Sequence, residues 1–139
     1  MKHAPIGWLA LLALLLSACN SRTGSTPVAA PEVHPELQNI PLYPEAMGWT
    51  KGIPGVDLPQ GYEVYSYPAE VFQSKTLVEF YKENMPSKGW ELFSEMEDEI
   101  GNRKSVTLLF SKKGIIAELD IIEWTATSWL VTVSFLDDP

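Results

Sequence analysis

The sequence predicts a two-layer α+β domain of order β-α-β-β-β-β, in which one helix packs on an antiparallel meander sheet. Three observations lead to this fold class. Apolar residues fall at helical spacing in one segment, residues 74–85. From Trp90 onward the apolar period is two, and short turns divide the alternation into four strands. Finally, 45% of the 139 residues are apolar, which suits one domain with one core.

The first strand is predicted at residues 62–67, where aromatic residues are frequent and Pro68 is expected to end the strand. A stretch rich in proline and glycine precedes it, at residues 40–61. Because proline is incompatible with a helix interior, this stretch is predicted to be a lead-in with turns at the surface.

The helix is predicted to begin with Ser74 as its N-cap, because a serine side chain satisfies a free N–H of the first turn. One helix face gathers the apolar side chains of Leu77, Val78, Phe80, Tyr81 and Met85. On the other face, one attractive and one repulsive pair of charged side chains nearly cancel in energy. Packing on the sheet must therefore stabilise the helix. Pro86 disfavours further helix, and Gly89 is expected to supply the left-handed residue that ends the last turn.

Four strands then follow, each with one apolar face. The residues on these faces are Trp90 and Leu92, then Val106, Leu108 and Phe110, then Ala117, Leu119 and Ile121, and finally Trp129, Val131, Val133 and Phe135. The connections are predicted at residues 95–102, 112–114 and 125–128. Connections this short join antiparallel neighbours, so the sheet is predicted to be a meander.

The N-terminus resembles a bacterial lipoprotein signal. The apolar run that ends at Leu16 is shorter than the roughly 20 residues of a membrane span. It closes in Leu16-Ser17-Ala18-Cys19, which resembles a lipobox and implies cleavage before Cys19 and acylation of that residue, for example with palmitate. We therefore predict a signal peptide at residues 1–18 and a lipidated Cys19 that begins a flexible tether, residues 19–39. The domain, residues 40–139, is expected to lie outside the cytoplasm, anchored to a membrane of the cell envelope.

Charge narrows the set of partners. The net charge of −8 disfavours nucleic acids and anionic lipid headgroups. We expect contact with the membrane through the acyl chains on Cys19, and an envelope protein or a glycan as the other class of partner. The acidic run Glu95, Glu97, Asp98 and Glu99 lacks the spacing of a calcium-binding loop and is predicted to be a charged hairpin tip. No metal ion and no cofactor are expected.

Several short motifs resemble a small domain that recurs in bacterial lipoproteins of uncharacterised function. They are Tyr43-Pro44 followed by Ala46, Phe80-Tyr81, Met85-Pro86 and Gly89-Trp90. The resemblance covers about residues 40–136 and implies no catalytic residue. Glu45 stands where similar chains commonly have glycine, and the Gly/Pro stretch before Tyr62 is longer than in those chains.

Catalysis is not predicted. Residues 40–139 contain no histidine and no cysteine, which excludes Ser-His-Asp and Cys-His arrangements in the domain. His34 lies in the predicted tether, where we expect it to be solvated. The alternative is a carboxylate-dependent hydrolase that uses Glu118 and Asp120, two residues apart on one strand face. Alternation predicts more simply that this face is the solvated one.

The aromatic residues are the better guide to function. They outnumber what one side of a small sheet buries, so Tyr65, Tyr67 and Trp124 are predicted to line a binding surface. The sequence therefore predicts an anchored domain that acts by binding or scaffolding. The alternative is a carrier or sensor of a glycan or an apolar ligand, the latter held in a cavity beneath Phe80 and Tyr81.

Overall fold

One antiparallel sheet of six strands dominates the structure, a computed structural model that describes residues 32–137, and nearly half of these residues lie in strands. The strands are β1 (Thr50–Lys51), β2 (Val64–Ala69), β3 (Glu91–Ile100), β4 (Arg103–Lys112), β5 (Ile115–Thr125) and β6 (Ser128–Asp137). Their order across the sheet is β1-β2-β6-β5-β4-β3. The residues from His34 onward belong to one compact unit.

The four last strands form the meander that their alternation predicts. Each pairs with its predecessor in the chain, and a two-residue turn joins every pair. At the turn between β4 and β5, both Lys113 (φ 48°) and Gly114 (φ 79°) have positive φ. Two such residues form the hairpin turn whose twist matches that of the flanking strands. The predicted turns at 112–114 and 125–128 are thereby confirmed.

The one α-helix among the described residues, α1 (Ser74–Asn84), lies against β4 and β5. Its buried residues are Leu77, Val78 and Tyr81, and they meet a sheet face on which Leu108, Leu119 and Val131 are inaccessible to solvent. A short 3₁₀ turn, Pro86–Lys88, follows the helix. Gly89 then adopts φ 85°, which confirms the predicted left-handed exit.

The predicted two-layer α+β class with the order β-α-β-β-β-β is wrong, because residues 32–137 form mainly an antiparallel sheet with one α-helix. Strands β3 to β6 each span ten or eleven residues, so the sheet far outweighs the eleven-residue helix. The predicted element order also omits β1, which pairs with Ser66 and Tyr65 of β2. Prolines 54 and 59 lie in the connection that follows β1, so they do not prevent this pairing.

Three element boundaries differ from prediction. Strand β2 does not end before Pro68 but continues through it. Proline is tolerated at this position because β1 pairs only with residues 65 and 66, so no strand on that side needs an N–H from residue 68. Gln73 is the N-cap of α1 and makes no side-chain hydrogen bond, whereas Ser74 is already helical. Strand β3 extends to Ile100, so the acidic run lies in a strand and the hairpin tip is only Gly101 and Asn102.

The described structure includes residues before the predicted domain boundary at residue 40. Pro35–Asn39 forms a 3₁₀ helix, and Leu37 beside Ile40 is buried in the core. The expectation of a solvated His34 is wrong, because its ring stacks on Phe135 with 4.0 Å between centroids. The predicted signal peptide, Cys19 and the first part of the tether lie outside the described residues. Within residues 32–137, no helix has the length and apolar character to cross a membrane.

Candidate functional site

A cleft of about 500 Å³ opens where the lead-in passes the end of β2. Its apolar lining consists of Tyr43, Pro44, Ala46, Met47, Pro68 and Ala69. Two carboxylates, Glu45 and Glu70, also line it, and both residues are exposed. The cleft therefore combines an apolar wall with negative charge, and no basic residue is among those that line it.

Tyr67 of β2 fixes the lead-in at the base of the cleft. Its side chain is buried, and its hydroxyl oxygen lies 2.5 Å from the hydroxyl of Tyr81 on α1. The main-chain N–H of Tyr43 donates to the same hydroxyl at 3.3 Å, and the Trp49 ring meets the Tyr67 ring edge to face. Burial raises the pKa of Tyr67, and it raises that of Tyr81 further. Both phenols thus stay neutral and act as structural hydrogen-bonding groups.

The cleft wall contains a strained turn. The main-chain N–H of Ala46 donates to the carbonyl of Tyr43 at 3.1 Å, with Pro44 and Glu45 between them. Glu45 has φ 73°, and a proline followed by a positive φ is the pattern of a type II turn. The second of these positions favours glycine, because a side chain there costs about 1 kcal/mol. The backbone conformation of Glu45 is thus one that glycine would adopt without this cost.

Tyr65 performs a comparable anchoring task nearer the start of the domain. It is buried, and its hydroxyl accepts a hydrogen bond from the main-chain N–H of His34 at 2.8 Å. The same hydroxyl donates to Glu63, whose carboxylate also pairs with Lys51 at 3.2 Å. The Tyr65 hydrogen bond, followed by the Lys51 ammonium, lowers the pKa of Glu63. Burial raises the pKa of Tyr65 itself.

The predicted surface of Tyr65, Tyr67 and Trp124 is not assembled as one surface. The two tyrosines belong to the buried core, whereas Trp124 is half-buried at a bulge in β5 outside that core. There the Arg103 guanidinium lies over the Trp124 ring, 5.2 Å from its centroid. Only Tyr67 of the three lines the cleft. The two-residue repeat of a strand shows which side chains share a face of the sheet. It does not show which face the helix and the lead-in cover.

Glu118 and Asp120 lie on the sheet face opposite α1, because Ala117, Leu119 and Ile121 between and beside them face the core. Asp120 accepts a hydrogen bond from the Thr107 hydroxyl at 2.6 Å. Burial, and secondly the negative charge of Asp120, raises the pKa of Glu118. Neither carboxylate lines the cleft.

The helix residues proposed to cover an apolar cavity are packed instead. Tyr81 is fully buried, and Phe80 contacts both Tyr43 and Tyr81 edge to face, each at 5.2 Å between centroids. Neither Phe80 nor Tyr81 lines the cleft. The cleft residues Glu45, Met47 and Glu70 escaped prediction, and the one available signal was a glutamate at a position that favours glycine.

Comparison with known proteins adds no relationship to these observations. No protein-family model matches the chain, and no curated protein matches it in sequence. The resemblance to small lipoprotein domains therefore remains a prediction from motif residues.

Proposed function

We propose that the chain is an envelope lipoprotein, anchored through acyl chains on Cys19, whose domain binds a partner and carries out no catalysis. The lipobox-like sequence supports the anchor, and two or more acyl chains hold a protein stably on a membrane. The net charge of −8 supports attachment by lipid rather than by a basic patch. The domain is thereby kept at the membrane surface, outside the cytoplasm.

The cleft beside β2 is the binding site in this proposal, and the strained Glu45 in its wall is the observation that carries it. Strain at a single backbone position is retained where the side chain serves a purpose. Here that side chain adds a second carboxylate to a cleft that already contains Glu70. Two carboxylates beside an apolar wall suit a cation on an apolar stem, such as a lysine side chain of a partner protein.

The cleft is formed before a ligand arrives. Tyr43 is held by a hydrogen bond to the Tyr67 hydroxyl and by the Phe80 ring, which fixes the wall that Tyr43 belongs to. A preformed wall reduces the ordering cost of binding. The most exposed apolar residue of the cleft is Met47, whose flexible thioether side chain adapts to an apolar stem.

The test compares three ligands that differ in charge. The full-length protein in a neutral detergent is titrated with the N-acetyl amides of lysine, norleucine and glutamate, and the Met47 methyl resonance reports occupancy. We expect the lysine derivative to bind. The norleucine derivative has the same four-carbon stem without the ammonium group, and it should bind about tenfold more weakly because one charge-assisted contact is lost. Equal binding of lysine and norleucine would contradict the cation site.

Two substitutions locate the binding. Glu70→Gln removes a cleft carboxylate and should weaken binding of the lysine derivative about tenfold. Asp57→Asn removes the same charge from an exposed loop residue that does not line the cleft. It is expected to leave the affinity unchanged. If both variants lose affinity equally, the attraction comes from net charge and not from the cleft.

A further inference from the structure

Strand β3 is an open edge of the sheet. In the part of the chain that the structure describes, β3 pairs with β4 alone, and nine of its ten residues are exposed. Half of the main-chain N–H and C=O groups of an edge strand point away from its neighbour and are free to pair with another strand. Such an edge is long enough to accept a complete additional strand.

The outer part of β3 is regular. A bulge lies between Leu92 and Ser94, and from Ser94 to Ile100 the pairing with β4 is continuous. A bulge twists an edge locally, whereas an uninterrupted segment presents evenly spaced hydrogen-bonding groups. The segment available for strand addition is therefore Ser94 to Ile100.

The two faces of this segment differ in chemistry. Glu95, Glu97 and Glu99 are opposite Leu108, Val106 and Lys104, so they share the face on which the helix lies. On the other face, Met96 and Ile100 are 49% and 61% exposed, and Asp98 lies between them. Lys82 of α1 pairs with Glu95. Within residues 32–137, Glu97 and Glu99 make no ion pair.

We propose that β3 binds an extended segment of another protein in which basic and apolar residues alternate. Residues opposite each other in neighbouring strands lie on the same face, so the basic residues of that segment would meet the glutamates. Its apolar residues would cover Met96 and Ile100. The partner strand forms hydrogen bonds with the free main-chain groups of the edge. Its basic residues supply the positive charges that Glu97 and Glu99 do not find within residues 32–137.

Charge argues against a second copy of this chain as the occupant. Pairing two β3 strands places glutamates on the same face of adjacent strands, and like charges opposite each other destabilise a sheet. The segment Ser94–Ile100 carries four acidic residues and no basic one. The proposal is also independent of the cleft, which lies at β2, while β3 is the opposite edge of the sheet. Failure of either proposal leaves the other intact.

The first test uses a defined peptide. An eight-residue peptide of alternating lysine and valine is added to the full-length protein in a neutral detergent, and its binding is measured by fluorescence anisotropy. We expect it to bind more tightly than a peptide with four lysines followed by four valines, because only alternation places all the lysines on one face. Equal affinity for the two peptides would overturn the proposal.

Main-chain pairing is tested separately from charge. Two derivatives of the alternating peptide are N-methylated, one at the lysine amides and the other at the valine amides. Since every second residue of an added strand hydrogen-bonds to the edge, one derivative should lose binding and the other should keep it. Bound peptide should also slow amide hydrogen exchange in residues 94–100. Retention of binding by both derivatives, or unchanged exchange in β3, would overturn strand addition.

A pair of charge reversals localises the contact. Glu97→Lys is expected to weaken binding of the alternating peptide about tenfold, because one attractive cross-strand pair becomes repulsive. Glu99→Lys repeats the test at the next position on the same face. Asp57→Lys makes the same change in net charge at an exposed loop residue near the other edge. An equal loss in all three variants, or dimerisation of the full chain through β3, would exclude this partner.

Discussion

At the scale of single residues, substitutions at Glu45 are expected to affect stability and binding in different ways. Glu45 adopts φ 73°, a conformation that favours glycine, and the same residue lines the cleft. Glu45→Gly removes the clash of the side chain with the backbone but adds freedom to the unfolded chain. We expect the difference to raise the free energy of unfolding by up to about 1 kcal/mol, as measured by urea denaturation.

The same substitution should weaken binding of the lysine derivative, because it removes a carboxylate from the cleft. Glu45→Gln is the matched control, since it keeps the strained conformation while losing the charge. We expect this variant to have unchanged stability and the same weakened binding. A Glu45→Gly variant less stable than the unmodified protein would show that the side chain stabilises the turn.

Single residues also show where prediction from the sequence ends. Tyr65 and Tyr67 are two residues apart in β2, so their side chains lie on the same face of the strand. Their burial depends on Tyr81 and on the lead-in, which come from other parts of the chain. A pattern in one strand contains no information about what covers it. The predicted binding surface failed for this reason.

At the scale of elements, the long periodic segments were predictable and the short ones were not. The four last strands each repeat an apolar face, and Lys113-Gly114 marks a hairpin turn. Strand β1 has two residues and no repeat, and its formation depends on Ser66 and Tyr65 opposite it. The 3₁₀ helix at Pro35–Asn39 likewise depends on distant contacts, including an ion pair with Lys112.

That ion pair connects the 3₁₀ helix Pro35–Asn39 to β4 and makes stability depend on pH. Glu36 lies 2.9 Å from the Lys112 ammonium, which itself lies over the Trp90 ring. The Lys112 hydrogen bond is the main reason that the pKa of Glu36 is below its usual 4.5. A carboxyl group with a lowered folded-state pKa stabilises the protein above its unfolded pKa. That contribution is lost as the pH falls through the folded value.

We therefore expect Glu36→Gln to reduce the free energy of unfolding at pH 7 and to flatten its decline below about pH 4.5. The measurement is urea denaturation at a series of pH values. Glu32→Gln changes an exposed residue just before the 3₁₀ helix and serves as the control. An identical pH dependence in Glu36→Gln and the unmodified protein would show that the ion pair contributes nothing to folding.

At the scale of the whole molecule, anchoring and folding are expected to be independent. The chain has one cysteine, so no disulfide within it is available to stabilise the fold. Among the described residues, the core around Trp90, Phe110 and Leu119 begins with Leu37 and Ile40. We therefore expect the proposed acylation of Cys19 to attach the protein to a membrane without adding to this core. The sheet should fold equally well without it.

Cys19→Ser tests this separation, because serine cannot form the thioether that lipidation requires. We expect the variant protein to leave the membrane fraction while keeping the urea midpoint of its domain, followed by tryptophan fluorescence. Ser21→Ala is the matched control, since Ser21 lies two residues beyond Cys19, and this variant should remain in the membrane fraction. A Cys19→Ser protein that stays with the membrane would refute the lipid anchor. A lowered urea midpoint would instead show that the anchored N-terminus contributes to the stability of the sheet.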